Sequence, residues 1–217
     1  MPGRVFVPLN TVQYFHLLLE NGVRLLDLLA EGKVADAPLT LVKAPDRSAV
    51  ETAMYDGIAA ISPWLTFSRL AEAFDAVYGN RASAAGGGRL YLARTGAKLR
   101  NPTNAGEVDA LLARHGFDPF IATDKNHPEQ IARFRAARTV VAVHGAGLTN
   151  LVFSAPGTRV IEIFPENFVK SPYWWICRQL GLIHIPVIGG PGDYDQNFHV
   201  DITALEAALT QIPADSA

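Results

Sequence analysis

Cysteine is almost absent from this chain, since Cys177 is the single one among 217 residues. One cysteine cannot build a disulfide framework within the chain, and such sparse use suits a reducing compartment. Together with the scattered histidines it also lacks the spacing of a zinc site. We therefore expect Cys177 to be a buried apolar residue rather than a reactive thiol.

Long apolar runs and a strong charge of either sign are missing as well. No segment reaches the roughly 18 apolar residues of a membrane span, and the first ten residues, MPGRVFVPLN, lack the apolar core of a secretory signal. The formal net charge is -2, which leaves no basic field for nucleic acid. We expect a cytoplasmic protein with no transmembrane segment and no nucleic-acid partner, and a peripheral position at the inner face of a membrane stays open.

What the chain does have is a regular alternation of strands and helices in its second half. Apolar and β-branched runs predict five strands, and periodic segments between and after them predict helices. This pattern predicts an α/β fold with a Rossmann-like, doubly wound parallel sheet. The predicted strands are residues 89–93, 117–122, 139–143, 158–164 and 182–187, and the predicted helices are residues 104–115, 128–137, 171–180 and 202–212.

The first half is less regular. It offers short strands at residues 5–7 and 39–42, and helical patterns at residues 12–30, 47–60 and 66–77. A tract of small residues, GNRASAAGGG, then predicts a linker. The expected domains are residues 1–85, a short α/β half, and residues 86–217.

A glycine turn, His144-Gly145-Ala146-Gly147, joins the strand at 139–143 to a short apolar helix. Ligands bind at the carboxyl ends of parallel strands, and the amides of a helix N-terminus favour an anion there. We expect both glycines to take positive φ and to let the backbone approach a ligand. The turn alone is equally compatible with a tight strand–helix connection, and His144 with a satisfied core residue.

Three charged residues lie where they could complete such a site. Arg94 follows the strand at 89–93, and Arg100 lies close behind; the forked guanidinium suits a diphosphate, although a solvated loop is the alternative. Glu162 lies inside the apolar strand VIEIF, where a buried carboxylate needs a partner. It could accept hydrogen bonds from ribose hydroxyls, or it could end the strand in solvent.

Two further patterns have both a functional and a structural interpretation, and a third has a structural one only. His16 and Glu20 lie four residues apart on the first predicted helix, as a general-base pair or an ordinary surface pair. The D-x-D sequence formed by Asp193 and Asp195 is used by some transferases to hold a divalent ion, but its Gly- and Pro-rich surroundings favour a turn. Asn104, followed three residues later by a glutamate, predicts a capping box at a helix start.

Several segments together resemble glycosyltransferase family 61. They are YLAR with the Arg, Asn and Glu that follow it, then HGF, PEQIARFRAARTVVAVHGAGLTNLVF and PGTRVIEIFP, with HGAGLTN as the most specific part. The N-terminal YFHLLLENGVRLL is similar to the helix Y-x-H-W-x-x-E-x-x-x-R-L of that family, with Leu17 in place of Trp. The resemblance covers nearly the whole chain and is strongest from Arg89 to Pro165.

The resemblance implies a GT-B arrangement, in which two Rossmann-like halves enclose the active site, here with a short N-terminal half. It implies an inverting transfer from a nucleotide sugar, usually a UDP-sugar, to a glycan, protein or lipid-linked acceptor, with no metal and no cofactor besides the donor. His16 or Glu20 would act on the acceptor. The donor would be held by Arg94, Arg100, His144, Gly145, Ala146, Gly147, Leu148, Thr149, Asn150 and Glu162.

Two other functions remain open at this point. One is a nucleotide-sugar epimerase on the same architecture. The other is a catalytically inactive nucleotide-binding module, which the short first half makes credible. Ala105, which stands where family members often have Glu, points the same way.

Overall fold

The computed structural model describes residues 5–9, 39–43, 75, 80, 87–94, 96–123 and 126–211, with residues 5–9 and 39–43 described by their backbone. Contacts divide the chain into two compact units, Met1–Tyr78 and Gly79–Ala217. In the first unit, strand β1 (Val5–Leu9) pairs in parallel with strand β2 (Leu39–Lys43), and the two include the strands predicted at residues 5–7 and 39–42. His16 and Glu20 lie outside the described residues. The GT-B arrangement and the roles of the two halves stay predictions.

The second unit is built on a five-stranded sheet in which every pairing is parallel. Its strands are β3 (Gly88–Leu92), β4 (Asp118–Phe120), β5 (Ala137–Val143), β6 (Arg159–Phe164) and β7 (Ile183–Ile188). The strand order is β4–β3–β5–β6–β7. The chain therefore adds β4 on one side of β3 and then returns to the other side. This reversal makes the gap between β3 and β5 the topological switch point, where such sheets bind ligands.

In the described part of this unit, three α-helices and one 3₁₀ helix connect the strands, and a fourth α-helix follows the last strand. They are α1 (Ala105–Arg114), α2 (His127–Ala136), the 3₁₀ helix (Ala146–Phe153), α3 (Pro172–Leu180) and α4 (Ile202–Thr210). Proline lies in the first turn of α2 and of α3, where its missing N–H costs nothing. Gly181 ends α3 in the left-handed conformation, and the Asp201 carboxylate caps α4 by accepting from the amide of Ala204.

Helices cover both faces of the sheet. On one face, alternate side chains of the strands, such as Val141 and Ile161, pack with Leu111 of α1 and Leu205 of α4. Residues of the opposite parity, among them Glu162, point to the other face, against which α2, the 3₁₀ helix and α3 lie. Because β5 and β6 are buried on both faces, their sequences are mostly apolar, and Glu162 interrupts the apolar run of β6. The predicted α/β fold with a doubly wound parallel sheet is confirmed.

One local prediction was wrong. Asn104 precedes α1, but its side chain makes no capping hydrogen bond. Its amide pairs instead with the backbone of Val200, donating to the carbonyl oxygen at 3.0 Å and accepting from the amide at 2.9 Å. The buried Asn104 side chain thus joins the start of α1 to the segment before α4, a tertiary role that outweighs the local cap.

Candidate functional site

A cleft of about 390 Å³ opens at the switch point, along the carboxyl ends of β3, β4 and β5. One wall is Leu92–Arg94, which leaves β3. A second wall is Ile121–Thr123, which leaves β4. The third wall is Val143 with Gly145–Leu148, which leaves β5. The position follows from the strand order alone, because the connections after β3 and β5 diverge there and leave a crevice.

The glycine turn forms the third wall of this cleft, but its glycines do not have the backbone conformation that was expected. Gly145 has φ 174 and ψ 168, an extended conformation that any residue can adopt, and Gly147 is also not among the positive-φ glycines of the described residues. The expectation of positive φ is therefore wrong. A Cβ at 145 would instead overlap the guanidinium of Arg94, the end of a flexible side chain, which would have to move away. The missing side chain makes room for the arginine.

The 3₁₀ helix that follows turns most of its side chains inward. Gly145, Ala146, Gly147 and Leu148 border the cleft, whereas Thr149 and Asn150 are completely buried beyond it. Asn150 donates to the side-chain oxygen of Gln130 at 2.8 Å, which ties the 3₁₀ helix to α2. Contact of Thr149 and Asn150 with a donor stays a prediction, and their packing favours a supporting role.

Arg94 and Arg100 converge on the backbone of the turn. Nη1 of Arg94 and Nε of Arg100 donate to the carbonyl oxygen of His144 at 3.2 and 2.9 Å. Burial, and secondly the nearby charge of Arg100, lowers the pKa of Arg94 to about 10, and burial also lowers the pKa of Arg100. Within the described part of the chain, no carboxylate forms an ion pair with either guanidinium. Both groups stay charged at neutral pH, so they favour an anion beside them.

A second contact holds Arg100 from a distant part of the sequence. Arg100 has φ 61, which is unusual for a residue with a side chain. Its amide donates to the carbonyl oxygen of Asp195, and its Nη1 donates to Oε1 of Gln196, both at 2.9 Å. Gln196 was missed by sequence reasoning, which had no signal to connect a loop residue with an arginine 96 positions earlier.

Glu162 is the most buried charged side chain of the site, with no exposed surface. Oε1 lies 2.6 Å from Nδ1 of His144, and Oε2 lies 2.6 Å from Nε2 of His184. The alternative of a solvent-exposed strand end is excluded. Both oxygens are already engaged, and Glu162 does not border the cleft. Its direct contact with a donor stays a prediction that this geometry does not favour.

His184 was missed by sequence reasoning, although a signal existed. It lies inside the apolar run Leu182–Val187, as Glu162 lies inside its own strand. In the parallel register Val160 faces His184 and Glu162 faces Pro186, so Glu162 and His184 are diagonal neighbours on one face. Two polar residues in adjacent apolar strands predict each other as partners.

The imidazole of His144 is enclosed by aromatic rings. It stacks on Phe164, with ring centroids 5.2 Å apart, and contacts Phe168 and Tyr173 at 5.8 and 5.3 Å. Burial raises the pKa of the Tyr173 phenol well above its usual value. Cys177 lies on the same helix and is buried, as predicted, and burial raises the pKa of its thiol to about 12. His144 is thus held by packing as well as by its bond to Glu162.

The Asp193–Asp195 segment forms the predicted turn. The Asp193 carboxylate accepts from the amide of Asn197 at 2.8 Å, and the Asp193 amide donates to the carbonyl oxygen of Asn197. Among the described residues, no group of three or more His, Cys, Asp or Glu side chains is arranged to hold a metal ion. No helix in the same residues combines the length and apolar character of a membrane span.

The sequence of this chain is similar to one known protein and to the model of one protein family, and the family model covers the site residues on β3 and the glycine turn. The rice (Oryza sativa subsp. japonica) protein named Beta-1,2-xylosyltransferase RCN11 is 33% identical to this chain over 69 residues, which is 32% of this chain and 13% of the rice protein. This chain therefore matches only a small part of that relative's length. The family model described as Glycosyltransferase 61 matches residues 14–161. That range includes β3, the glycine turn and both arginines, and spans well over half of the 217 residues, so the chain belongs to glycosyltransferase family 61.

Proposed function

We propose that this chain is a glycosyltransferase that moves a sugar from a nucleotide sugar, a UDP-sugar, to a hydroxyl group of an acceptor with inversion at the anomeric carbon. The observation that carries the proposal is the pair of guanidinium groups, Arg94 and Arg100, at the turn beside the switch-point cleft, with no carboxylate of the described residues to neutralise them. Membership of family 61 supports the same activity. We propose that the cleft takes the donor.

The diphosphate is the part of the donor that this wall suits best. Arg94 borders the cleft and carries a full positive charge, and the first amides of the 3₁₀ helix add the partial positive charge of a helix N-terminus. Phosphate oxygens accept bidentate hydrogen bonds from guanidinium groups. The same groups stabilise the leaving UDP, on which negative charge grows as the glycosidic bond breaks.

The reaction is a single displacement. The acceptor oxygen forms a bond to the anomeric carbon, the bond from that carbon to the diphosphate oxygen breaks, and UDP leaves with the electron pair. A base takes the acceptor proton. We assign this role to His16 or Glu20, which share one face of the first predicted helix. Arg94 and Arg100 provide the charge that the diphosphate needs, and no bound cofactor is proposed.

Calorimetry with UDP and a panel of UDP-sugars tests the donor site. We expect binding of UDP and a rise in melting temperature with the correct donor, because a ligand selective for the folded state stabilises it. The anomeric proton of the product, followed by NMR, reports inversion. If no nucleotide and no nucleotide sugar binds, the proposed donor site is wrong.

The same assays separate the two competing functions. An epimerase converts the donor with no acceptor present, whereas a transferase needs one. A binding module binds UDP but turns nothing over. Replacement by His16→Ala or Glu20→Gln should abolish transfer and leave UDP affinity unchanged if one of them is the base. We also propose that the acceptor is a glycan, a protein or a lipid-linked molecule, and that the reaction is part of polysaccharide biosynthesis. The proposed location is the cytoplasm, either at the inner face of a membrane or away from it.

A further inference from the structure

We propose that His184 is a positioning residue of the site, which fixes the imidazole of His144 through the buried carboxylate of Glu162. His184 touches neither the cleft nor the arginines. Its influence passes across two strand pairings, from β7 to β6 and from β6 to the turn after β5.

The contacts form a continuous series of short hydrogen bonds. Nε2 of His184 lies 2.6 Å from one oxygen of Glu162, and Nδ1 of His144 lies 2.6 Å from the other. The side chains of the two histidines are 8% and 10% exposed, and that of Glu162 is fully buried. A carboxylate so enclosed keeps one orientation only while both oxygens have partners.

This series determines which nitrogen of His144 carries hydrogen. An ionised carboxylate accepts at both oxygens, so the facing nitrogens, Nδ1 of His144 and Nε2 of His184, carry the hydrogen atoms. In the neutral imidazole, Nε2 of His144 then keeps its lone pair, and this nitrogen has no hydrogen-bond partner among the described residues. A ligand donor, such as a hydroxyl group, is the complement of that nitrogen.

The same residue connects the series to the arginines. The carbonyl oxygen of His144 accepts from both Arg94 and Arg100. If Glu162 loses the hydrogen bond from His184, it can turn away from His144, and the ring and peptide of His144 lose their fixed position. The geometry thus assigns to His184 an effect on anion binding without contact with the anion.

Two amide substitutions of different reach test this inference. In His184→Gln the side-chain nitrogen extends to about the place of Nε2 and can still donate to Glu162. In His184→Asn the nitrogen stops at about the place of Nδ1 and cannot reach. Long-range ¹H–¹⁵N correlation spectra of the imidazoles report the tautomer of His144. We expect the Nδ1–H tautomer to dominate in the wild type and in the Gln variant, and to lose dominance in the Asn variant.

The affinity for UDP gives the functional readout, and this part rests on the proposed function. We expect the Asn variant to bind UDP about tenfold more weakly and the Gln variant to match the wild type within about twofold. If wild-type protein does not bind UDP, the proposed function fails, but the tautomer comparison still decides the role of His184.

A double-mutant cycle with Glu162→Gln completes the test. If His184 acts through Glu162, then His184→Asn should change neither the tautomer nor the affinity further in the Glu162→Gln background. The inference is wrong if the His144 spectra are the same in the wild type, the His184→Gln variant and the His184→Asn variant. It is also wrong if the effects of His184→Asn and Glu162→Gln on UDP affinity are additive. If the Asn variant does not fold, His184→Met replaces it, since Met fills the space and cannot donate.

Discussion

Arg94 and Arg100 share one hydrogen-bond acceptor, the carbonyl oxygen of His144, at 3.2 and 2.9 Å. Two cations drawn to one point repel each other, and burial together with this repulsion lowers the pKa of Arg94 to about 10. A carbonyl dipole compensates less of this repulsion than a full negative charge does. The pair is therefore arranged to gain from an anion that reaches both groups.

Replacing either arginine by glutamine should weaken UDP binding by at least about tenfold, because a hydrogen bond to a charged group contributes about 1.5–3 kcal/mol. Titration calorimetry measures the effect. In the wild type, UDP affinity should also fall as pH rises through about 10, since Arg94 loses its proton there. Arg133→Gln is the matched control, because it removes a cation that pairs with Asp118 and Glu129. Unchanged affinity in both glutamine variants would contradict the diphosphate site.

Gly145→Ala tests why the turn needs glycine. The added Cβ would overlap the Arg94 guanidinium and displace it from the carbonyl oxygen of His144. We therefore expect weaker UDP binding and a loss of about 0.5–1.5 kcal/mol in the free energy of unfolding, the contribution of one hydrogen bond. Gly106→Ala is the control, because its Cβ meets nothing within 4 Å. Thermal denaturation and calorimetry give both quantities.

The cause can be isolated in a second background. In Arg94→Ala protein the overlapping group is gone, so Gly145→Ala should cost little further stability. If the cost of Gly145→Ala is the same in both backgrounds, with and without the arginine, then the turn itself requires glycine and our account of this position is wrong.

The sheet could be predicted because its signals are local. The two central strands, β5 and β6, are rich in apolar and β-branched residues between polar breaks, and β3 ends in the apolar residues Leu-Tyr-Leu. Because parallel strands end at one edge of a sheet, the positions of Arg94, His144 and Glu162 in the sequence already predict that they lie in one region. The family resemblance was predicted from the same part of the chain and is confirmed. The strand order has no such local signal, so the switch point between β3 and β5 emerged from the structure alone.

The rest of the site depends on long-range packing. Glu162 was expected to meet a ligand because a buried carboxylate needs a partner, but His184 and His144 satisfy it instead. Gly145 was expected to give the backbone a positive φ, but it makes space for the side chain of Arg94. Sequence pattern shows that such a residue has a demanding environment, but it does not say which neighbour creates it.

Asn104 provides a test of the tertiary bond that replaced the predicted cap. Asn104→Ala leaves a buried amide and a buried carbonyl of Val200 without partners, at a cost of about 2–4 kcal/mol. Asn167→Ala is a close control, since Asn167 makes the same pair of bonds to Gly192 in an exposed loop, and it should cost less than about 1 kcal/mol. Thermal denaturation compares the two, and equal costs would show that burial does not set the strength of the Asn104 bonds.

The contacts of Arg100 with Asp195 and Gln196 determine when, during synthesis of the chain, the site can be complete. Arg100 leaves the ribosome 96 residues before Gln196, which holds its guanidinium. While the nascent chain is still short of that residue, the turn beside the cleft lacks one of its two fixed cations, whatever the state of the sheet. A partly synthesised chain should therefore bind UDP more weakly than the finished one, and full affinity becomes available only once Gln196 has been added.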